Sequence, residues 1–314
     1  GLPEVCTEIE IQISCGSKTQ PLQGNKTMTK NAPRIVLVTG ASRGAGKGIA
    51  LAFGSLGDIV YVTGRSQKEG DAPLPGTVFA TADEINKKGG TGIACVVDHG
   101  NDEQVKALFE RIEKEHGRLD ILVNNAASLH DDLVMPGPFF EKSLGLVNLL
   151  DVGLRSTYVA SYYAAKMMAK QRSGLIVNTS SPGAACYMHG PAYGAQKAGG
   201  DKMVWDMAHD LKPFNVAVVS IWMGVLRTER LAAVMAMDPE KYSAFFQMAE
   251  TPEFTGLVIN ALYNDAKLME KSGQALIGAE AGLNLGVRDT DGKQPHSHRD
   301  MLGGPIQFNP AVVE

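Results

Sequence analysis

From Arg34 onward the chain alternates between short apolar runs and longer amphipathic stretches. The runs fall at residues 35–38, 59–62, 93–97, 121–123, 175–177 and 216–221, with 275–277 as a candidate seventh. They are apolar almost throughout, as strands buried on both faces of a parallel sheet must be. Between them, residues 47–56, 80–88, 102–116, 152–170 and 192–211 carry the apolar period of helices. Alternation of this length predicts right-handed strand–helix–strand units. The expected fold is a single α/β domain, a doubly wound parallel sheet of about seven strands with helices on both faces.

Residues 1–33 read as an N-terminal extension, within which Ile9, Ile11 and Ile13 alternate with polar positions as in an edge strand. The domain proper is expected over 34–282, and the Gly/Pro/Asp-rich residues 283–314 form a tail. Two segments interrupt the alternation. Residues 67–77 form an insertion after the second strand. Residues 229–250 carry Met235, Met237, Phe245, Phe246 and Met248 on expected helices, at the carboxyl edge of the sheet, where ligands of such folds bind.

Composition narrows the function classes. The 314 residues are 44% hydrophobic and carry a net charge of −4 without long runs of one sign, so a nucleic-acid or anionic-membrane surface is not indicated. No apolar stretch approaches the roughly 18 residues of a spanning helix. The first thirty residues lack the basic start and apolar centre of a secretory signal. Four cysteines, none in C-x-x-C spacing, suggest neither a disulfide framework nor a metal or redox motif. Reduced thiols and a cytoplasmic location are expected.

The first strand runs into Thr39-Gly40-Ala41-Ser42-Arg43-Gly44-Ala45-Gly46, which opens the first helix. Gly40 permits a tight turn, Gly44 a close backbone approach and Gly46 close helix–sheet packing. The free N–H groups of Ser42, Gly44 and Ala45 and the positive helix end then suit a pyrophosphate. Such a turn makes the doubly wound sheet Rossmann-type. An NAD site places an acid at the end of the second strand to hold the ribose 2′-hydroxyl. Here that strand ends Thr63-Gly64-Arg65-Ser66, without an acid. Arg65 and Arg43 could instead fork around a 2′-phosphate, so NADP(H) is favoured over NAD(H).

Tyr193 and Lys197 stand at i and i+4 on one helix face. A phenol with pKa near 10 is a poor acid–base catalyst at neutral pH. A neighbouring ammonium and a cationic nicotinamide would bring it toward the working range. The fifth strand ends Asn178-Thr179-Ser180-Ser181, offering a hydroxyl to polarise a carbonyl.

These motifs, in this order, resemble the short-chain dehydrogenase/reductase family over about residues 34–279. Asp151-Val152-Gly153-Leu154-Arg155 and Ser180-Ser181-Pro182-Gly183 are similar to its dehydrogenase/reductase member 1 subgroup, as, more loosely, are residues 286–294. The resemblance implies that Asp98 holds the adenine amino group, with His99 lending backbone beside it. It implies that Asn124 steadies the strands, that Asn125 and Ala126 flank the cofactor, and that Gly224, Val225 and Thr228 hold its nicotinamide end. Tyr193 would be the acid/base, and Lys197 would bind the ribose hydroxyls and lower the tyrosine pKa. Three departures stand out. The first concerns the serine: the family's spacing counted back from Tyr193 selects Ser180, whereas counted forward along the strand from Gly174 it selects Ser181, and the strand, as the better anchor, favours Ser181. Gly153 takes a position where the family has an Asn that helps hold a relay water, and Met223 replaces a proline, which should loosen the turn after the sixth strand.

The expected activity is reversible, NADPH-dependent interconversion of a carbonyl and a secondary alcohol by hydride transfer, on an apolar small molecule. The alternative is an NADP(H)-binding regulatory or scaffold protein with little turnover, which Gly153 keeps open. A homodimer or homotetramer is expected through the helices at 152–170 and 192–211. His296 and His298 lack partners at ligand spacing, so no metal site is expected. Tyr187 and His189 either line the substrate mouth or merely pack in their loop.

Overall fold

The computed structural model describes residues 32–313, so the alternation at Ile9–Ile13 lies outside the described residues. Seven strands form one sheet in which every neighbouring pair is parallel. They are β1 (Ile35–Val38), β2 (Ile59–Gly64), β3 (Thr91–Val96), β4 (Ile121–Asn124), β5 (Leu175–Ser180), β6 (Ala217–Trp222) and β7 (Ala275–Ile277), in the spatial order β3-β2-β1-β4-β5-β6-β7. The expected Rossmann-type sheet is present, with helices on both faces.

The first five helices follow their strands: α1 (Gly44–Ser55), α2 (Val78–Lys87), α3 (Asp102–His116), α4 (Ser156–Gln171) and α5 (Pro191–Leu211). After β6 come α6 (Glu229–Met237), α7 (Pro239–Met248), α8 (Pro252–Tyr263) and the short α9 (Leu268–Lys271). Then α10 (Gly278–Asn284) follows β7, and α11 (Arg299–Leu302) lies in the tail. Alternate residues of each strand face opposite layers. Val36 and Val38 join Ile49, Phe53, Phe254 and Val258 of α1 and α8. Ile35 and Leu37 join Val105, Phe109, Met168 and Val204 of α3, α4 and α5.

Local chemistry sets the helix ends. Asn101 caps α3 through the Gln104 N–H at 3.2 Å, and Gly117 closes it in the left-handed region at φ +67. Thr77, at the end of the 67–77 insertion, caps α2 through Ala80 N at 3.0 Å.

Three elements differ most clearly from the sequence pattern. β2 and β5 run past their apolar cores through Thr63-Gly64 and Asn178-Thr179-Ser180, where the Thr63, Asn178 and Thr179 side chains are satisfied by hydrogen bonds at the carboxyl edge. The expected helix from Val152 begins instead as a wide helical turn, Leu150–Arg155, broken at Val152 (φ −106, ψ 55). Regular α4 starts only at Ser156. The tail is tied back to the domain. The buried Asp289 carboxylate accepts from Thr251 N at 2.7 Å, and Asp291 pairs with Arg227 at 3.1 Å.

Candidate active site

Strand order reverses between β1 and β4, and the crevice outside their carboxyl ends is where doubly wound sheets bind ligands. The Gly-rich turn and the residues after β4 close on each other there. A Cβ on Gly40 (φ +65) would lie 2.8 Å from Ala126 Cα, and one on Gly46 only 2.3 Å from Gly40 O. Asn125 Nδ2 donates to the carbonyls of Thr39 and Gly40 at 3.1 and 3.0 Å, and Thr39 Oγ1 accepts from the Asn125 and Ala126 amides. Beneath them Asn124 Nδ2 reaches Asn178 Oδ1 and Ser161 Oγ, fixing β4 to β5 and α4. The glycines therefore let the turn, the start of α1 and the residues after β4 pack closer than any side chain would allow, leaving a bare-backbone cradle at the helix end.

α1 has no side-chain cap of its own. Glu229 Oε2, from the start of α6, instead accepts from Gly44 N at 2.9 Å. A carboxylate at this helix end stands where an anionic phosphate fits, and the cradle passes that test for a dinucleotide. The neighbouring side chains are placed unevenly. Arg43 donates to Ser66 Oγ, Pro75 O and Gly76 O, which anchors the insertion to the turn. Arg65 is exposed and makes no side-chain hydrogen bond or ion pair among the described residues. Asp98 is half-buried, its Oδ1 accepting from Gly100 N. The His99 ring is buried against Thr63 Oγ1 at 2.6 Å, and burial lowers its pKa to about 4.

At the other end, Tyr193 Oη donates to Ser181 Oγ at 2.9 Å. The structure thus brings Ser181 to the tyrosine and turns Ser180 away. Ser180 is 2% exposed, and with Ser220 and Trp222 it faces the Asp201 carboxylate. Trp222 Nε1 donates to Asp201 Oδ2 at 2.7 Å. Lys197 is buried, its Nζ 5.5 Å from the Tyr193 ring centre and donating to Thr179 O at 3.1 Å. Burial brings its pKa down to about 8, opposed by the Asp201 charge.

Burial holds the Tyr193 pKa above the ordinary phenol value, with the Ser181 hydrogen bond acting in the opposite direction. His189 stands edge-on to Tyr193, ring centres 5.1 Å apart, and holds a left-handed backbone (φ +59) that a non-glycine residue seldom adopts. Of the two mouth candidates His189 therefore packs on the tyrosine, while Tyr187 is exposed.

The nicotinamide-end candidates lie after β6. Met223 does not loosen that turn. Its N–H, which a proline would lack, donates to Ser180 O at 3.3 Å. Gly224 packs on Glu250, whose carboxyl accepts from Gly224 N at 3.3 Å and is pushed by burial up to about 8. Val225 is exposed, and Thr228 Oγ1 caps α6 through Leu231 N. His298, set aside as a metal ligand, stacks on Trp222.

Sequence reasoning missed Asp201, although it stands one helical turn beyond Lys197 and that spacing was open to view. It also missed Glu229 and Glu250. The Glu229 contact joins residues 185 positions apart, and no local pattern announces it.

A parallel sheet with a phosphate-type cradle at its switch point and a paired Ser–Tyr beside a buried lysine defines a Rossmann-type oxidoreductase. The chain belongs to the short-chain dehydrogenase/reductase family: the short chain dehydrogenase pattern matches residues 34–239. It is 37% identical over 271 residues to human (Homo sapiens) dehydrogenase/reductase SDR family member 1, covering 83% of this chain and 84% of that protein. Among solved structures it resembles a metagenomic short-chain oxidoreductase in complex with NADP (26% identity, TM-score 0.60), covering 78% of this chain and 95% of that one. It also resembles a short-chain type dehydrogenase/reductase from Mycobacterium marinum (25% identity, TM-score 0.63), covering 78% of this chain and 93% of that one. The chain is accordingly an NAD(P)-dependent enzyme acting on CH–OH or carbonyl groups of small molecules. Among the described residues no helix is long and apolar enough to cross a membrane.

Proposed function

We propose that the protein is an NADPH-dependent oxidoreductase that interconverts a carbonyl and a secondary alcohol, working toward the alcohol on an apolar substrate. The observation that carries this reading is the 2.9 Å contact between Tyr193 Oη and Ser181 Oγ. Two hydroxyls held that close can converge on one carbonyl oxygen and stabilise the charge that develops there. Ser181 orients the substrate, Tyr193 gives its phenolic proton to the forming alkoxide, and the Lys197 ammonium stabilises the phenolate left behind. The bound nicotinamide dinucleotide supplies the hydride. Ser180, facing Asp201, holds the strand end rather than the substrate.

In this reading Gly40, Ser42, Arg43, Gly44, Ala45 and Gly46 hold the cofactor phosphates, Asp98 and the His99 backbone its adenine, and Asn125 and Ala126 its middle. Lys197 holds the ribose hydroxyls, and Gly224, Val225 and Thr228 the nicotinamide end. The preference for NADP(H) rests on the missing acid after β2 and on the exposed Arg65 beside Arg43. The NADP of the metagenomic relative supports it. Replacing Arg65 by Ala should lower the NADPH/NADH affinity ratio by about tenfold. An unchanged ratio removes the charge argument.

The apolar substrate follows from the Met/Phe-bearing segment after β6, where Met237 and Met248 are exposed. The same reading keeps residues 34–282 as the active domain, 1–33 as an extension and 283–314 as a tail, in the cytoplasm. It pairs copies through α4 and α5, and the exposed Tyr158 and Tyr162 on α4 support that surface.

The decisive experiment follows NADPH consumption over apolar ketones, aldehydes and quinones, with Tyr193→Phe alongside. The variant should lose about 10²- to 10⁴-fold in turnover while binding NADPH unchanged. Tight NADPH binding without turnover of any compound would instead favour the regulatory alternative.

A further inference from the structure

Gln196 precedes Lys197 on α5, so its side chain leaves the helix about 100° around from the lysine. It meets the wide turn Leu150–Arg155 at Gly153. The missing side chain there makes room for it: a Cβ on Gly153 would stand 3.0 Å from Gln196 Cγ and 3.2 Å from Cδ and Nε2. Gln196 is only 6% exposed. Its Nε2 donates to Gly153 O at 3.5 Å, the outer limit of a hydrogen bond, and its Oε1 is buried without a partner. Buried amide oxygens are seldom left so.

Gln196, Lys197, Gly153 and Thr179 share the wall of a cavity of about 10 Å³, room for one water molecule. The lysine ammonium has three donors, and Thr179 O takes one of them. A water in this cavity finds a donor in Lys197 Nζ and its acceptor in the unpartnered Gln196 Oε1, since Gly153 O already takes Thr157 Oγ1 at 2.8 Å and Gln196 Nε2.

We propose that Gln196 is a positioning residue for Lys197, holding the ammonium in its charged, oriented form through one buried water. This rests on the carbonyl-reductase reading above. The charged and titratable groups near Lys197 are few. Tyr193 and Asp201 lie on its own helix, β4 and β5 offer only Asn124, Asn125, Asn178, Thr179 and Ser180, and α4 offers Thr157. Asp151 and Arg155 of the wide turn line a separate outer cavity with Asp102. The Asn124, Asn125 and Asn178 amides on the same walls are engaged with Ser161, one another, Thr39, Gly40 and Gly200.

The test is Gln196→Leu, which keeps the bulk and removes the amide. Lys197, held near 8, loses its proton before Tyr193, so the alkaline fall of kcat reports the lysine. Without the water that fall should move to lower pH by about half to one pH unit. Turnover should drop about three- to tenfold, while NADPH binding, which certifies the fold, stays within about twofold. A carboxamide from the opposite wall should rescue. Gly153→Asn combined with Gln196→Ala should restore the pH profile that Gln196→Ala alone shifts, whereas Gly153→Asn alone collides with Gln196. A crystal structure should show an ordered water bonded to both Lys197 Nζ and Gln196 Oε1, and none in Gln196→Leu. An unmoved alkaline limb in Gln196→Leu, or a dry cavity, overturns the proposal. If no carbonyl is turned over at all, the reductase reading fails by itself and the water alone decides: present, the contact stands; absent, it falls.

Discussion

The two ends of the crevice are built differently. At one end the reacting groups sit on β5 and α5, with Ser181 and Lys197 buried, the lysine bonded to a strand carbonyl, and Asp201 clamped to Trp222 behind them. At the other, α6 contains no buried residue, and Val225, Met237 and Met248 are exposed. That segment is tied down by a few contacts at its base: Glu229 to Gly44, Arg227 to Asp291, and Glu250 to Gly224. Chemistry needs geometry held tightly, which rigid elements supply, whereas admitting and releasing ligands draws on segments of low local stability. The contrast divides a reaction centre fixed on regular elements from an exposed segment that we expect to be the movable end.

The first way to break that contrast is to loosen the fixed end. Asp201→Ala leaves the buried Trp222 Nε1 without its acceptor, at a cost of about 1–3 kcal/mol. It also removes the charge that opposes the depression of the Lys197 pKa, so turnover should fall together with the melting temperature. Asp201→Asn keeps an acceptor for Trp222 and loses only the charge. It should recover most of the stability and little of the activity. Calorimetry beside NADPH-consumption assays separates the two. An Asp201→Ala protein as stable as wild type would show that this end is not held as tightly as its hydrogen bonds indicate.

How far the sequence reached follows the same division. The sheet was legible because strands buried on both faces must be apolar at every position, and the cradle because only glycine fits where Gly40 and Gly46 touch neighbouring backbone. The Tyr193–Lys197 pair was legible because helical spacing puts i and i+4 on one face. The choice between Ser180 and Ser181 was legible only in part: the count along β5 favoured Ser181, the serine that meets Tyr193, but the loop length obscured it. The filling of the Gly153 gap by Gln196 was not legible, nor was the seating of Glu229 on Gly44. Both join a side chain to a backbone group far away in the chain, and sequence periodicity carries no record of such contacts.

The movable end offers the smaller and sharper test. Glu229 Oε2 takes the Gly44 amide at the positive end of α1, the place a cofactor phosphate would claim. The two anions cannot share it, so the wild-type chain must give up this contact as the dinucleotide enters. Glu229→Gln replaces a charge-assisted contact with a weaker neutral one. With the competitor weakened, the NADPH dissociation constant should fall about two- to fivefold, read from NADPH fluorescence at low salt. The gain should shrink as ionic strength rises, because the competition is between charges at the crevice surface. Stability should stay within about 0.5 kcal/mol of wild type, since Glu229 lies on a helix with nothing buried. The pyrophosphate is common to both dinucleotides, so NADH should gain by the same factor and the NADPH/NADH ratio should not move. That separates Glu229 from Arg65, whose loss should change the ratio. Weaker NADPH binding in Glu229→Gln would mean that the carboxylate orders the cradle rather than contesting it, and the segment after β6 would then belong to the fixed end of the site.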